Sequence, residues 1–271
     1  RRAACGMAPV SVATPRGGQG AWCTSGPKST FTTLAVMARR AGETLELTLG
    51  AGDVVQVLSA HDPRCARTEE DRLTLSTFCL PVEAEDLTGT VVTASAPVAV
   101  YAGHDCALVP YNRYACDHLE EQVPPVETPG QRYVVTRGEP ADRRRNPAHP
   151  EGEPTLAIIV AAFDGTAVTF EPPAVHAPAR LMQGEALRVT SLDDYAVVGD
   201  KALAVASVLV GAGYWPQDTP VDNTSRGDPS LSFETPVEQY RHAYDFVAPD
   251  GFSPAFANVT LARGARFTLD G

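Results

Sequence analysis

The chain has 271 residues, 44% hydrophobic and 20% charged. That is enough apolar material to build real cores, so disorder is not the default reading. With 22 basic against 33 acidic residues the net charge is -11, spread along the chain, and no basic face of the kind that grips nucleic acid is visible. The longest apolar stretch, residues 155–163, is far below the roughly 20 residues that a membrane-spanning helix needs, so insertion of this segment into a membrane is not expected.

In chain order, the first strong features are cysteines and alternating stretches. Cys5, Cys23, Cys65, Cys79, Cys106 and Cys116 all lie in the first half, with no CxxC pair and no zinc-type double spacing. An even count in that pattern predicts disulfides and an oxidising compartment, with buried thiols of a cytosolic protein as the alternative. Residues 45–49, 53–58, 89–94, 97–102, 131–136 and 202–211 alternate apolar and polar side chains as half-buried strands do. Turn formers separate them, among them Gly50-Ala51-Gly52, Asp164-Gly165, Pro172-Pro173 and Asp250-Gly251. Residues 31–40 could pass for a short helix on local propensity, but internal comparison makes them a strand. Lys28 and Lys201 are the only lysines against abundant arginine, a bias that suggests a GC-rich bacterial genome.

Self-similarity carries the domain reading. Thr33-Leu34-Ala35-Val36-Met37 leads to Gly42-Glu43-Thr44-Leu45-Glu46-Leu47, as Thr155-Leu156-Ala157-Ile158-Ile159 leads to Gly165-Thr166-Ala167-Val168-Thr169-Phe170. Phe256-Ala257-Asn258-Val259-Thr260-Leu261 before Gly264 looks like a third copy. These matches predict superposable hairpins over residues 33–49, 155–170 and 256–269, with Gly42, Gly165 and Gly264 at the turns. The expected organisation is a first β module over residues 1–106, a disulfide-clipped connector over 107–119, a second module over 120–213, a connector over 214–235, and a third, truncated module over 236–271. A hairpin at the end of the sequence would leave an unpaired edge, so the natural chain is expected to continue past Gly271. Residues 137–154, with Arg143-Arg144-Arg145, are a long exposed loop. The fold expected is all-β, as tandem antiparallel β-sandwich modules, with a β-propeller-like arrangement as the alternative.

Cys106 follows directly from the strand at residues 97–102 and Cys116 opens the approach to the second module. A Cys106–Cys116 bridge would clip the turn between them; Cys65–Cys79 and Cys5–Cys23 are the pairings expected for the rest.

The stretch Asp86-Leu87-Thr88-Gly89-Thr90, then Pro97-Val98-Ala99-Val100-Tyr101-Ala102-Gly103-His104-Asp105-Cys106, then Cys116-Asp117-His118-Leu119 and Glu121-Gln122-Val123-Pro124-Pro125, resembles the amino-terminal domain of the IgGFc-binding protein family. The likeness runs from about Gly52 onward and is strongest between Asp86 and Val126; the first fifty residues and the arginine-rich loop match poorly. The resemblance implies an extracellular, adhesive or matrix-like part, with any signal segment outside this chain, and does not imply that this chain binds immunoglobulin.

Candidate chemistry is sparse. His104-Asp105 and Asp117-His118 flank two cysteines, where a metal site or an acid–base pair can be imagined, but backbone hydrogen bonding in a clipped loop explains them as well. Glu120-Glu121 and Asp193-Asp194 could be paired glycosidase carboxylates, although adjacent acids on a strand face opposite ways. Ser225, Ser230 and Ser232 lack a nucleophile-elbow context. Asp164-Gly165 and Asp250-Gly251 read better as turns than as calcium loops. Asn223 and Asn258 head glycosylation sequons. Tyr111, Tyr114, Tyr214 and Trp215 are the candidate binding residues, since rigid amphipathic rings give contact area at low entropic cost; capping of the sandwich ends is their other reading. The expectation is a non-enzymatic extracellular adhesion, binding or matrix module that recognises a protein or glycan, without catalytic residues, metal or cofactor. A carbohydrate-active hydrolase and a structural spacer are the alternatives.

Overall fold

A computed structural model describes residues 10–13, 19–25, 32–38, 43–50, 52–57, 68–71, 76–79, 87–111, 116–138, 151–211, 214, 228–247 and 256–269. The architecture is all-β and every strand pairing is antiparallel. The amino-terminal part comprises β1 (Val10–Ala13), β2 (Gln19–Ser25), β3 (Thr32–Ala38), β4 (Glu43–Leu49), β5 (Val54–Val57), β6 (Thr68–Asp71), β7 (Ser76–Cys79) and β8 (Val91–Ala94). They form two three-stranded sheets, β1-β2-β5 and β4-β3-β8, and the hairpin β6-β7. β3 is a strand where local propensity admitted a helix, and it pairs with β4 from Thr32↔Leu49 to Ala38↔Glu43 as the first expected hairpin. Leu49 is buried against Leu47, Val55 and Val92, so alternation on β4, β5 and β8 brings one apolar face together.

A two-stranded ribbon follows, β9 (Tyr101–Leu108) with β10 (Cys116–Gln122). It begins four residues later than the strand expected at residues 97–102. The remaining strands are β11 (Gly130–Val135), β12 (Thr155–Ala161), β13 (Thr166–Glu171), β14 (Ala179–Leu181), β15 (Ala186–Ser191), β16 (Tyr195–Leu209) and β17 (Ser230–Phe233). β16, at 15 residues, organises them. Its first half lies between β13 and β11, and its second half between β12 and β17, with β14 and β15 at the outer edges. The sheet is folded on itself where β16 passes through Gly199–Ala202, so its two halves close on one core. Tyr133, Val135, Val168, Phe170, Leu181, Tyr195 and Val197 come from one half, and Ala157, Ile159, Ala161, Val189, Leu203 and Val205 from the other. A strand that changes layer at a bend is a known way to turn a sandwich corner.

The corner explains why the second expected hairpin is not one. β12 and β13 do not pair with each other; they run in line along β16, from Thr155↔Leu209 to Ala161↔Leu203 and then from Val168↔Gly199 to Glu171↔Ala196. Gly165 is at a turn, with a positive φ of 67°, but the turn takes the chain around the bend instead of reversing it. Ties across the corner hold it: Ala167 N donates to Asp200 Oδ1 at 2.8 Å, Lys201 Nζ to Asp164 O at 2.7 Å, and Arg180 Nη1 to Gly165 O at 2.7 Å. A hairpin would place both strands in one layer and leave the apolar inner face of the other layer uncovered. The third expected hairpin is also corrected. Residues 256–269 contain no strand; Ala265 N bonds Ala262 O around Gly264, whose φ is 82°, so the turn exists without strands to join. β17 lies within residues 214–235, which the sequence reading made a connector, and it pairs with β16 from Ala206↔Phe233 to Leu209↔Ser230.

Candidate functional site

Two places gather side chains with binding potential. The first is the ribbon. A bulge between Asp117 and Leu119 shifts the register, so Leu119 pairs with His104 and Glu120 with Gly103. Gly103 is required there, because a Cβ would meet Leu119 O at 2.0 Å. Cys106 and Cys116 are joined by a disulfide that clips the intervening turn, as the sequence predicts. Residues 101–106 are exposed, with Tyr101 59% accessible, while Leu119 is buried and β10 lies alongside β17. Cys23 and Cys79 fall in β2 and β7; Cys5 and Cys65 lie outside the described residues, and so do the bridges expected for all four.

The histidines of the ribbon are engaged locally. Cys106 N donates to His104 Nδ1 at 3.0 Å, and His118 Nε2 lies 3.4 Å from Glu120 Oε2. Among the described residues no three His, Cys, Asp or Glu side chains gather as metal ligands would. Asp194 accepts a hydrogen bond from Arg137 N at 2.7 Å and Asp193 N bonds Ser191 Oγ at 3.0 Å, which makes this acidic pair a turn feature. Asp164 likewise accepts from Gln183 N at 3.0 Å. Asn258 uses its amide to reach Thr136 Oγ1 at 3.3 Å and Arg137 O at 3.2 Å, tying residues 256–260 to the end of β11.

Of the four candidate aromatics, Tyr111 and Tyr214 are partly exposed, and Tyr114 and Trp215 lie outside the described residues. Gly211 N donates to Val109 O at 2.8 Å and Tyr214 N to Gly211 O at 3.0 Å, so the backbone joins the two tyrosine-bearing segments beside the clipped turn. Sequence spacing gives no hint of that meeting, since about a hundred residues separate them.

The second place escaped sequence reading. Glu234 follows β17, and its N–H donates to Val205 O at 2.8 Å, which turns its side chain onto the core face beside Val205. Ser207 Oγ donates to its carboxylate, and burial pushes that carboxyl above the ordinary range while the Ser207 bond pulls the other way. Tyr195, raised chiefly by burial and then by the charge of Glu234, has a buried hydroxyl with no partner in the protein; Thr155 Oγ1 is in the same condition. Nearby, Glu238 Oε1 accepts from Gln131 N at 3.0 Å and Arg132 N at 3.2 Å, and Gln239 Nε2 donates to Thr128 O, strapping residues 234–239 to β11. The only signal in the sequence was a glutamate in register with core positions, which needs the pairing to be seen.

The described residues thus form an antiparallel, all-β chain clipped by the Cys106–Cys116 disulfide. The family model described as IgGFc binding protein matches residues 24–271, and the chain belongs to that family, one of binding proteins and not of enzymes. A relative, the IgGFc-binding protein of Homo sapiens, is 28% identical over 159 residues, which is 59% of this chain and 3% of the relative. The chain thus spans a small fraction of that relative's length. No solved structure matches it.

Proposed function

We propose that this chain is a non-enzymatic extracellular module, part of an adhesive or matrix protein, that binds a protein partner through the disulfide-clipped ribbon and the tyrosine segments beside it. The observation that carries this reading is the ribbon itself: Tyr101 to Cys106 are exposed while the Cys106–Cys116 bridge and the Gly211–Val109 hydrogen bond fix the far end against the second β unit. A rigid, exposed ribbon loses little entropy on binding. Its rings, Tyr101, Tyr111 and Tyr214, supply amphipathic contact area, with Tyr114 and Trp215 in the same two segments. Family membership supports a protein partner, and the disulfide supports an oxidising, extracellular setting. Its organisation as tandem β units also belongs to this proposal, with the second unit extended to include β17.

The test is to immobilise the purified chain and measure retention of an immunoglobulin Fc fragment, a panel of extracellular glycoproteins, and a glycan array, alongside Tyr101→Ala and Tyr214→Ala variants. Retention of a protein that both variants weaken at least tenfold supports the reading. Glycan-only retention, or turnover of a polysaccharide, overturns it.

A further inference from the structure

At the end of the folded sheet where β17 joins β16, four oxygen-bearing side chains lie on the inner face, and the hydroxyls of two of them, Thr155 and Tyr195, have no partner in the protein. Register fixes their placement. Ser207 pairs with Ala157 on β12, and Thr155 stands two residues earlier on the same face, next to Leu209. Glu234 is bonded through its backbone beside Val205, again on that face, and Ser207 Oγ donates to its carboxylate. Tyr195 enters from the other half of the sheet and lies within electrostatic reach of Glu234.

Thr155 is 2% and Tyr195 3% accessible, yet neither hydroxyl has a partner in the protein. A buried hydroxyl left without a hydrogen bond is costly, and native proteins nearly always satisfy such groups, with ordered water when side chains do not reach. Glu234 and Ser207 are only partly buried, so solvent has a route to the inner pair.

We propose that this end of the sandwich is an internal water site, in which ordered water bridges the Thr155 and Tyr195 hydroxyls to the Glu234–Ser207 pair. Buried water takes about three hydrogen bonds, and one carboxyl with three hydroxyls supplies them. The donor set disfavours calcium, which takes six to eight oxygens and usually more than one carboxylate. The water completes the attachment of β17, and through it of the strap over residues 234–239 that Glu238 fastens to β11. The inference is independent of the binding reading.

Thermal unfolding of the whole chain separates the alternatives. If the hydroxyls are bridged, Thr155→Val and Tyr195→Phe each remove a satisfied group and lower Tm by a few degrees, and combining either with Glu234→Gln gives less than the sum of the single shifts. If they are orphans, the same near-isosteric changes raise Tm, and the proposal fails. A crystal structure of the unmodified chain must show solvent density within hydrogen-bond distance of both hydroxyls; density for neither overturns the proposal even if a variant fails to fold. A Tm that rises specifically with sodium, potassium or calcium at constant ionic strength would assign the site to a cation and overturn it as well.

Discussion

Glu234 shows how one side chain sets a pH dependence. Burial raises its carboxyl in the folded state, so its contribution to stability is fully present below the unfolded value near pH 4 and is lost as pH rises through the folded value. The titratable groups around it are Tyr195 on β16 and Tyr240 beyond the strap, both raised by burial and neutral at pH 7, and no basic side chain contributes to its shift. Glu234→Gln is therefore expected to gain stability relative to the parent between pH 4 and pH 7; denaturant titrations at both values check it, and a pH-independent difference sinks it. Arg132 and Glu171 are the contrasting case. Their 2.5 Å contact lowers the Glu171 carboxyl, but the pair is exposed and adds little. Cys106 and Cys116 act through the unfolded chain instead. Replacing both with serine removes a short loop constraint of about 2–3 kcal/mol and should lower Tm while the circular dichroism of the folded sheet stays native.

β16 is the element on which the seven-stranded sheet depends, and its bend rests on one glycine. A Cβ at Gly199 would meet Lys201 O at 2.6 Å and Leu203 Cδ1 at 2.9 Å, so Gly199→Val should cost about 1–3 kcal/mol, visible as a lower denaturation midpoint at unchanged slope. An unchanged midpoint would mean the corner relaxes freely. Tyr133 supports the same bend, its hydroxyl donating to Leu203 O and accepting from Gly130 N at 2.9 Å. At this scale the sequence was legible where alternation is strict. The strands expected near residues 45–49, 53–58, 89–94 and 131–136 are β4, β5, β8 and β11, each within a few residues. Alternation names a strand and its inner face but not its partner, so β12 and β13 read as a hairpin although both belong to β16. The same blindness hid the site at Glu234: Ser230-Leu231-Ser232-Phe233 is too short and polar to stand out, and only pairing with β16 turns the following glutamate inward.

At the scale of the whole molecule, the question is where the second β unit ends. Repeat matching closes it at residue 213, while β17 and the strap bind the sheet beyond that point. β17 covers the β16 edge over Ala206–Leu209, Glu234 is bonded to Val205 and Ser207, and Glu238 accepts the amides of Gln131 and Arg132 on β11. A fragment of residues 120–240 retains all of these bonds. One of residues 120–213 leaves the β16 edge open over Ala206–Leu209 and removes the strap from Gln131 and Arg132. An open edge beside an apolar strand is a template for association. The longer fragment is thus expected to be monomeric with a single cooperative melt, and the shorter one to melt at least ten degrees lower or to aggregate. Circular dichroism melts with size-exclusion chromatography decide between them. Equal melting temperatures and equal elution would show that residues 214–240 are a connector after all, and that the sandwich closes without β17.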